Sequence, residues 1–365
     1  MTSVKPLTDD QVRRLRTAAQ HLHRPRHCSA VDLVRHLAGV QGQVLSAAGI
    51  GLRARTDGLT GEHVERSRLI DRSIVLTWAM RGTLHLIAAE DYGWLQPLVI
   101  EPRIANAHRR LKEEGVPADQ PAKAVRLIAR MLEREGPLSR SEIADRLRRQ
   151  GIRTEGQAIA HLVWLAAAQR VICFGPDRAG EQCFVLVRDW LGEQRPMDRD
   201  AALAELAVRY LTAHAPAMPA DLAFWSGLRL SDAKRAWIAI KDRLVTVETE
   251  RGIRWVLRSH GRPAPGGLVR LLPAFDEYLL GWRDRDIVAS AEEWSRVNRG
   301  GGWLHPVVLH DGRIVATWRM ERSSKTVLIE IKPFDRLPPA LTRGVATEAA
   351  GIATFLNSSV TVVFV

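Results

Sequence analysis

The stretch AKAVRLIARMLEREGPLSRSEIADRLRRQGIRTEGQAIAHLVWLAAAQRVICFGPDRAGEQCFVLVRDWL, residues 122–191, decides the fold. Apolar residues recur at helical spacing over VRLIARMLER (125–134), and Gly136-Pro137 ends that helix. Ser139, followed three residues later by Glu142, is a capping-box pattern, so a second helix runs through SEIADRLRRQ to Gly151. A third helix is expected over 155–169, where Ile159, Leu162, Val163 and Ala166 share one face. VICFG and QCFVLV, on either side of the polar turn PDRAGE, then read as a hairpin. Three helices followed by a hairpin is the order of a winged-helix module, whose third helix can enter the major groove of DNA.

The same order recurs on both sides. Downstream, a helix over 201–214 is followed by PADLAFWSG (219–227), SDAKRAWIAIKDR (231–243) and two strands, LVTVETE and GIRWVLRS, turning at 250–252. Upstream, VDLVRHLAGV (31–40) and HVERSRLID (63–71) read as helices, and VLTWAMRGTLHLI (75–87) as a hairpin turning near Arg81-Gly82. Residues 118–121 and 192–196 look like linkers, and HGRPAPGG (260–267) is the clearest break. Beyond it LVRLLPAF, RIVATWRM, TVLIEIKPF and VTVVFV are β-type runs, with one helix expected over 341–356. The expectation is an α+β chain: three tandem winged-helix units, at 1–118, 119–195 and 196–260, and a C-terminal β-rich, barrel-like domain at 268–365.

Composition narrows the function classes. Of 365 residues 46% are hydrophobic and 26% charged, which is globular rather than disordered. No apolar run approaches the roughly 18 residues of a membrane helix. Residues 1–20 are charged and show no secretion signal. Cys28, Cys173 and Cys183 make neither a disulfide framework nor a zinc motif, so a reducing cytoplasm fits, with no membrane association. Lys+Arg is 53 against Asp+Glu 41, a net charge of +12, and only seven of the 53 are Lys. Such a basic, arginine-rich chain is a candidate for a polyanion, and arginine forks bidentately onto phosphate.

The conspicuous local feature is Gln41-Gly42-Gln43, directly after the first predicted helix. Residues two apart do not share a helix face, but in a strand-like turn they point the same way. Taken alone, the triplet also reads as two solvated polar residues in a connection.

The surroundings add to it. HLAGVQGQVLSAAGIGLRAR (36–55), LTWAMRGTLHLIAAEDY (76–92), LLPAFDEYLLGWRDR (271–285) and GGWLHPVVLHDGRIVATWR (301–319), in this order, resemble the winged-helix DNA glycosylases of the AlkZ/YcaQ kind. The resemblance covers nearly the whole chain. It implies three winged-helix units and a barrel curved into a C-shaped DNA channel. It also implies a catalytic motif of Gln, an apolar residue, then Gln or Asp. That motif maps onto Gln41, Gly42 and Gln43, with Gly42 departing from the apolar middle position. The Gln-ending form resembles the branch linked to self-resistance against DNA-alkylating natural products.

The chemistry suits amides. Cleaving an N-glycosidic bond passes through an oxocarbenium-like sugar. Guanine alkylated at N7 already carries a positive charge and leaves as a neutral base, so strong acid catalysis is unnecessary. Two amides can hold a water against the anomeric carbon by hydrogen bonds. Neither can form a Schiff base, so a monofunctional base-excision-repair enzyme is expected. Its substrate would be double-stranded DNA carrying alkylated purines, including bulky natural-product adducts or interstrand cross-links. No cofactor, metal or obligate protein partner is expected.

Arg81 and His85 on the first hairpin, and His310 and Arg313 beside the Asp311-Gly312 turn, are candidate DNA contacts; each can equally be a structural residue of its hairpin. Asp276, Glu277, Asp284 and Asp286 form either a junction rich in salt bridges or part of a nuclease metal site, but no complete ligand set is visible. His21, His23, His27 and His36 lack metal-site spacing, and tryptophans such as Trp164, Trp225 and Trp237 read as core. Two other function classes remain open: a tandem winged-helix regulator, which would bind an operator without releasing bases, and a metal-dependent nuclease, which a chelator would silence.

Overall fold

The computed structural model describes residues 5–23 and 27–365. The chain divides into two compact units, one formed by Met1–Glu65 with Leu203–Val365 and the other by Arg66–Ala202. These limits fall inside the first and third of the four segments laid out from the sequence.

Along the chain one order of elements appears twice. Helix Ala30–His36, the short strand Val40–Gln41, helices Leu45–Arg53 and Gly61–Leu69, and the hairpin Ile74–Trp78/Leu84–Ala88 make the first run. Helix Gln120–Glu135, the short strand Leu138–Ser139, helices Arg140–Arg149 and Ala158–Ala168, and the hairpin Ile172–Arg178/Glu181–Leu186 make the second. A third run has helices Arg199–His214, Pro219–Ser226 and Leu230–Ala239 before the hairpin Leu244–Thr249/Gly252–Leu257. There the single bridge Ala217↔Trp255 replaces the short strand.

Unit Arg66–Ala202 shows why the quoted stretch folds as it does. The Ser139 hydroxyl accepts from the Glu142 N–H while the Glu142 carboxylate accepts from the Ser139 N–H at 2.8 Å, closing the expected capping box. Ile143 and Leu147 are buried one helical turn apart. The two hairpins of this unit join through Leu76↔Phe174, and Leu138–Ser139 pairs with Cys183 and Phe184 at the far side. The second hairpin turns at Ala179-Gly180, both left-handed at φ 52° and 81°, rather than across the whole of PDRAGE. Pro176 is accommodated because the register slips between Phe174 and Asp177, where no ladder donor is required.

Helix Tyr92–Glu113 was not expected, since Pro97 and Pro102 lie inside it. Burial of Trp94, Leu95, Leu98, Val99 and Leu111 outweighs the missing donors. Helix Leu45–Arg53 was not expected either. Gly49 and Gly51 lower its intrinsic propensity, and tertiary packing overrides them.

In the other unit the C-terminal β-runs form one mixed sheet. Its order is Ser359–Phe364, Thr326–Pro333, Arg313–Arg322, Val307–His310, Val269–Leu272. The first two strands are parallel, joined by helix Pro339–Phe355 as a crossover. The order ends on two edge strands, so the barrel-like expectation is met as a curled half-barrel and not as a closed one. Among the described residues no helix is long and apolar enough to cross a membrane.

Candidate active site

Helix Ala30–His36 ends in a Schellman turn. Gly39 N–H donates to the Val34 carbonyl and Ala38 N–H to that of Arg35, with Ala38 left-handed at φ 57° and Gly39 at φ 117°. The reversal delivers the chain into Val40–Gln41, Gly42 and Gln43, after which helix Leu45–Arg53 begins. The glycine with left-handed φ on this stretch is Gly39 and not Gly42, so the backbone does not itself demand a glycine at the motif's centre. Because the strand stops at Gln41, the two amides do not behave alike. Gln41 is 7% exposed, and Gln43 lies open to solvent.

Both flanks of the motif are fixed by two adjacent acids from a distant part of the chain. The Gln41 N–H donates to Glu277 Oε1 at 2.9 Å, and Trp225 Nε1 donates to Glu277 Oε2 at 2.8 Å. Glu277 and Trp225 are buried, at 1% and 0% exposure. Charge-assisted hydrogen bonds of this kind contribute about 1.5–3 kcal/mol each. On the other flank Asp276 takes a two-pronged contact from Arg55, Nη1 to Oδ2 at 2.8 Å and Nη2 to Oδ1 at 2.7 Å. Arg55 also donates to the Gly51 carbonyl at 2.7 Å and to Gln20 Oε1 at 2.6 Å. A Cβ on Gly51 would stand 2.9 Å from Asp276 Oδ2, so the absent side chain lets the helix after the motif approach the carboxylate. Asp276 Oδ1 in turn accepts from Tyr278 N–H, capping the short helix Glu277–Leu280 that carries Glu277.

The acidic run therefore resolves as the junction reading, with Arg55–Asp276 a buried ion pair. Asp284 and Asp286 stand 3.8 and 3.9 Å from Arg251. Among the described residues no group of three or more His, Cys, Asp or Glu side chains could hold a metal ion. Sequence reasoning noticed Glu277 but missed its bond to Gln41, which links residues 236 positions apart.

The remaining candidates are scattered. Arg81 is half-buried with φ 57°, in the turn of the first hairpin. His85 is wholly buried, its Nδ1 at 3.0 Å from the Thr83 carbonyl, and burial, helped by the Arg81 charge, pushes its pKa down to about 3. A closed, neutral imidazole fits the structural alternative given for His85. His310 and Arg313 are half-exposed, and Arg313 is held by Glu293 at 2.9 Å. The turn between them does not project. Its Asp311 carboxylate accepts from Leu268 N–H at 2.8 Å, the Gly312 carbonyl accepts from Tyr278 Oη at 2.9 Å, and a Cβ on Gly312 would meet Tyr278 Oη at 2.5 Å. Trp225 and Trp237 are core, whereas Trp164 is only half-buried.

A second buried histidine sets an acid limit on stability. His214 stacks on Tyr210 with ring centroids 4.7 Å apart, and burial pushes it, like His85, down to about 3. Both folded values lie below the ordinary 6.5, so the unfolded chain takes up these protons first. Their stabilising share is complete above about pH 6.5 and declines as pH falls through 6.5 towards 3, by about 1.4 kcal/mol per pH unit for each histidine. The urea midpoint is expected to drop between pH 7.5 and 5, and His214→Phe to flatten that drop. A wild-type midpoint unchanged over that interval would contradict it.

Likeness to known proteins places the chain among the DNA glycosylases. The chain belongs to the DNA glycosylase AlkZ-like family, whose pattern matches residues 34–355. It is similar to the interstrand DNA cross-link repair glycosylase of Streptomyces sahachiroi, with 31% identity over 362 residues covering 94% of this chain and 95% of that protein. The solved structure of the Streptomyces sahachiroi DNA glycosylase AlkZ superposes with a TM-score of 0.81 at 28% identity, covering 98% of this chain and all of that one.

Proposed function

We propose that this DNA glycosylase hydrolyses the N-glycosidic bond of N7-alkylguanine in duplex DNA, using Gln41 and Gln43 to place the attacking water. The observation that carries the reading is the main chain of Gln41 pinned to buried Glu277, beside an exposed Gln43. A desolvated amide carried on a fixed main chain, next to a reachable one, suits a reaction in which orientation, and not a strong base, lowers the barrier. We assign the three repeated runs of helices and hairpin as winged-helix modules, followed by the half-barrel, all in the service of a duplex partner. The likeness to the interstrand DNA cross-link repair glycosylase of Streptomyces sahachiroi supports interstrand cross-links as substrates, and the Gln-ending motif is the ground for proposing bulky adducts and self-resistance to a DNA-alkylating antibiotic. A regulator that only binds its operator accounts less well for a chain in a glycosylase family.

The test is base release. Purified protein is incubated with a duplex carrying N7-methylguanine, one carrying an N7-linked cross-link, and an undamaged duplex, and alkali-labile abasic sites are counted. Release from the alkylated duplexes and none from the undamaged one is expected. Equal release from all three would remove the leaving-group argument, and no release at all would remove the substrate class.

A further inference from the structure

We infer that the unit carrying Gln41 and Gln43 holds a second ligand site, a cavity for a small, flat aromatic acid, in which Arg262 takes the negative charge and aliphatic and imidazole side chains take the ring. The cavity measures about 420 Å³, within the range of about 300–1,000 Å³ usual for small-ligand sites. Helix Asp9–Ala19 gives it Leu15, Ala18 and Ala19, and helix Arg199–His214 gives Leu211 and Thr212. Strand Gly252–Leu257 adds Val256 and Leu257. Of these, Leu15, Leu211, Val256 and Leu257 are buried, so the lining is largely aliphatic. Two imidazoles also line it. His21, left-handed at φ 59°, stacks on His36 with ring centroids 4.0 Å apart and planes at 23°. His36 Nε2 donates to the Ala19 carbonyl at 2.7 Å, which holds the stacked pair against the first helix.

Polarity decides the ligand. Among the described lining residues none is acidic, and Arg262 makes no ion pair with a described residue. A second, buried cation adjoins the cavity. Arg16, 2% exposed, reaches the carbonyl of Pro216, a lining residue, by a long bond of 3.4 Å, and its Nε and Nη1 have no hydrogen-bond partner among the described residues. Its guanidinium lies over the Trp282 ring, 4.2 Å from the centroid. Asp221, the acid whose charge acts on it, accepts instead from Met218 N–H at 2.9 Å and Arg283 N–H at 3.1 Å. A desolvated cation with no hydrogen-bonded acid keeps a positive potential around it, and an anion in the adjoining cavity offsets that potential. The remaining walls call for a ring to carry the anion. Imidazoles stack on aromatic faces, and burying a ring against aliphatic walls contributes about 25 cal/mol per Å². His260, its Nδ1 donating to the Leu257 carbonyl at 3.0 Å, adds a further imidazole to the lining. The site shares no residue with the Gln41–Gln43 motif, although His36 ends the helix whose turn leads into it.

The probe is indole-3-acetate, titrated into the full chain by calorimetry. Its neutral amide, indole-3-acetamide, tests the charge, and cyclohexylacetate tests the ring. Binding of a single indole-3-acetate is expected, with the amide and cyclohexylacetate each bound about tenfold more weakly. Arg262→Gln weakens the acid about tenfold and leaves the amide unchanged. Ala18→Trp, which fills the cavity from helix Asp9–Ala19, removes binding of all three. The control is Arg258→Gln, an exposed arginine that donates to the Asp242 carbonyl and does not line the cavity; it binds like the wild type. The proposal is overturned if the folded protein takes up no indole-3-acetate, if acid and amide bind equally to the wild type, or if Arg258→Gln weakens binding as much as Arg262→Gln. It is also overturned if an undamaged duplex displaces the probe, because the cavity then belongs to the DNA-binding surface. Should Gln41→Ala and Gln43→Ala keep full activity, the catalytic reading fails and the cavity still stands.

Discussion

Gln43→Ala lowers the single-turnover rate of base release from an N7-alkylated duplex by about 10²–10³-fold, with duplex affinity unchanged. The expectation follows from the size of one preorganised hydrogen bond made to a reacting group and from the exposure of Gln43 beside a fixed partner. Gln41→Ala has an effect of the same order, because its amide is already desolvated. Glu277→Gln is the finer probe. It leaves every side chain of the motif in place, but an amide cannot accept with both arms from the Gln41 N–H and the Trp225 indole. One donor is left facing an NH2 group, the strand shifts, and the rate falls about tenfold while affinity holds. Wild-type rates in Gln41→Ala and Gln43→Ala would strip the motif of its role.

Asp276→Ala costs about 3–5 kcal/mol of folding stability, read as a fall in the urea midpoint. Both side chains of the Arg55–Asp276 pair are 1% exposed, so removing the carboxylate strands a buried guanidinium beside Gln20 and Gly51. The double change Arg55→Met with Asp276→Leu recovers most of that loss, since two apolar chains need no partner. Gly51→Ala goes the same way more mildly, by pressing a methyl group onto Asp276 Oδ2. An Asp276→Ala protein as stable as the wild type would mean that the pair contributes nothing to docking the helix after the motif.

How much of this the sequence discloses depends on distance along the chain. Ser139 with Glu142, and Asp311 with Gly312, are local signals, and each marks an element end where it is expected. Helix Tyr92–Glu113 escapes because Pro97 and Pro102 are local signals against a helix that tertiary burial sustains. Gln41 and Gln43 stand out by type and by family likeness, yet their unequal exposure does not, because it depends on where a two-residue strand stops. Asp276 and Glu277 are visible as charges, but their bonds to residues 55 and 41 leave no periodicity to detect. The curled sheet is legible as β-runs and illegible as open or closed, since closure is a property of strand order.

The bond from Glu277 to the main chain of residue 41 has a consequence for synthesis. A ribosome makes Gln41 and Gln43 early and Glu277 late, with the whole of Arg66–Ala202 emerging between them. The main chain of Gln41 thus gains this partner only after the 236-position separation to Glu277 has been synthesised and folded back. A product that stops short of residue 277 would retain both amides yet lack the carboxylate that holds the main chain of Gln41.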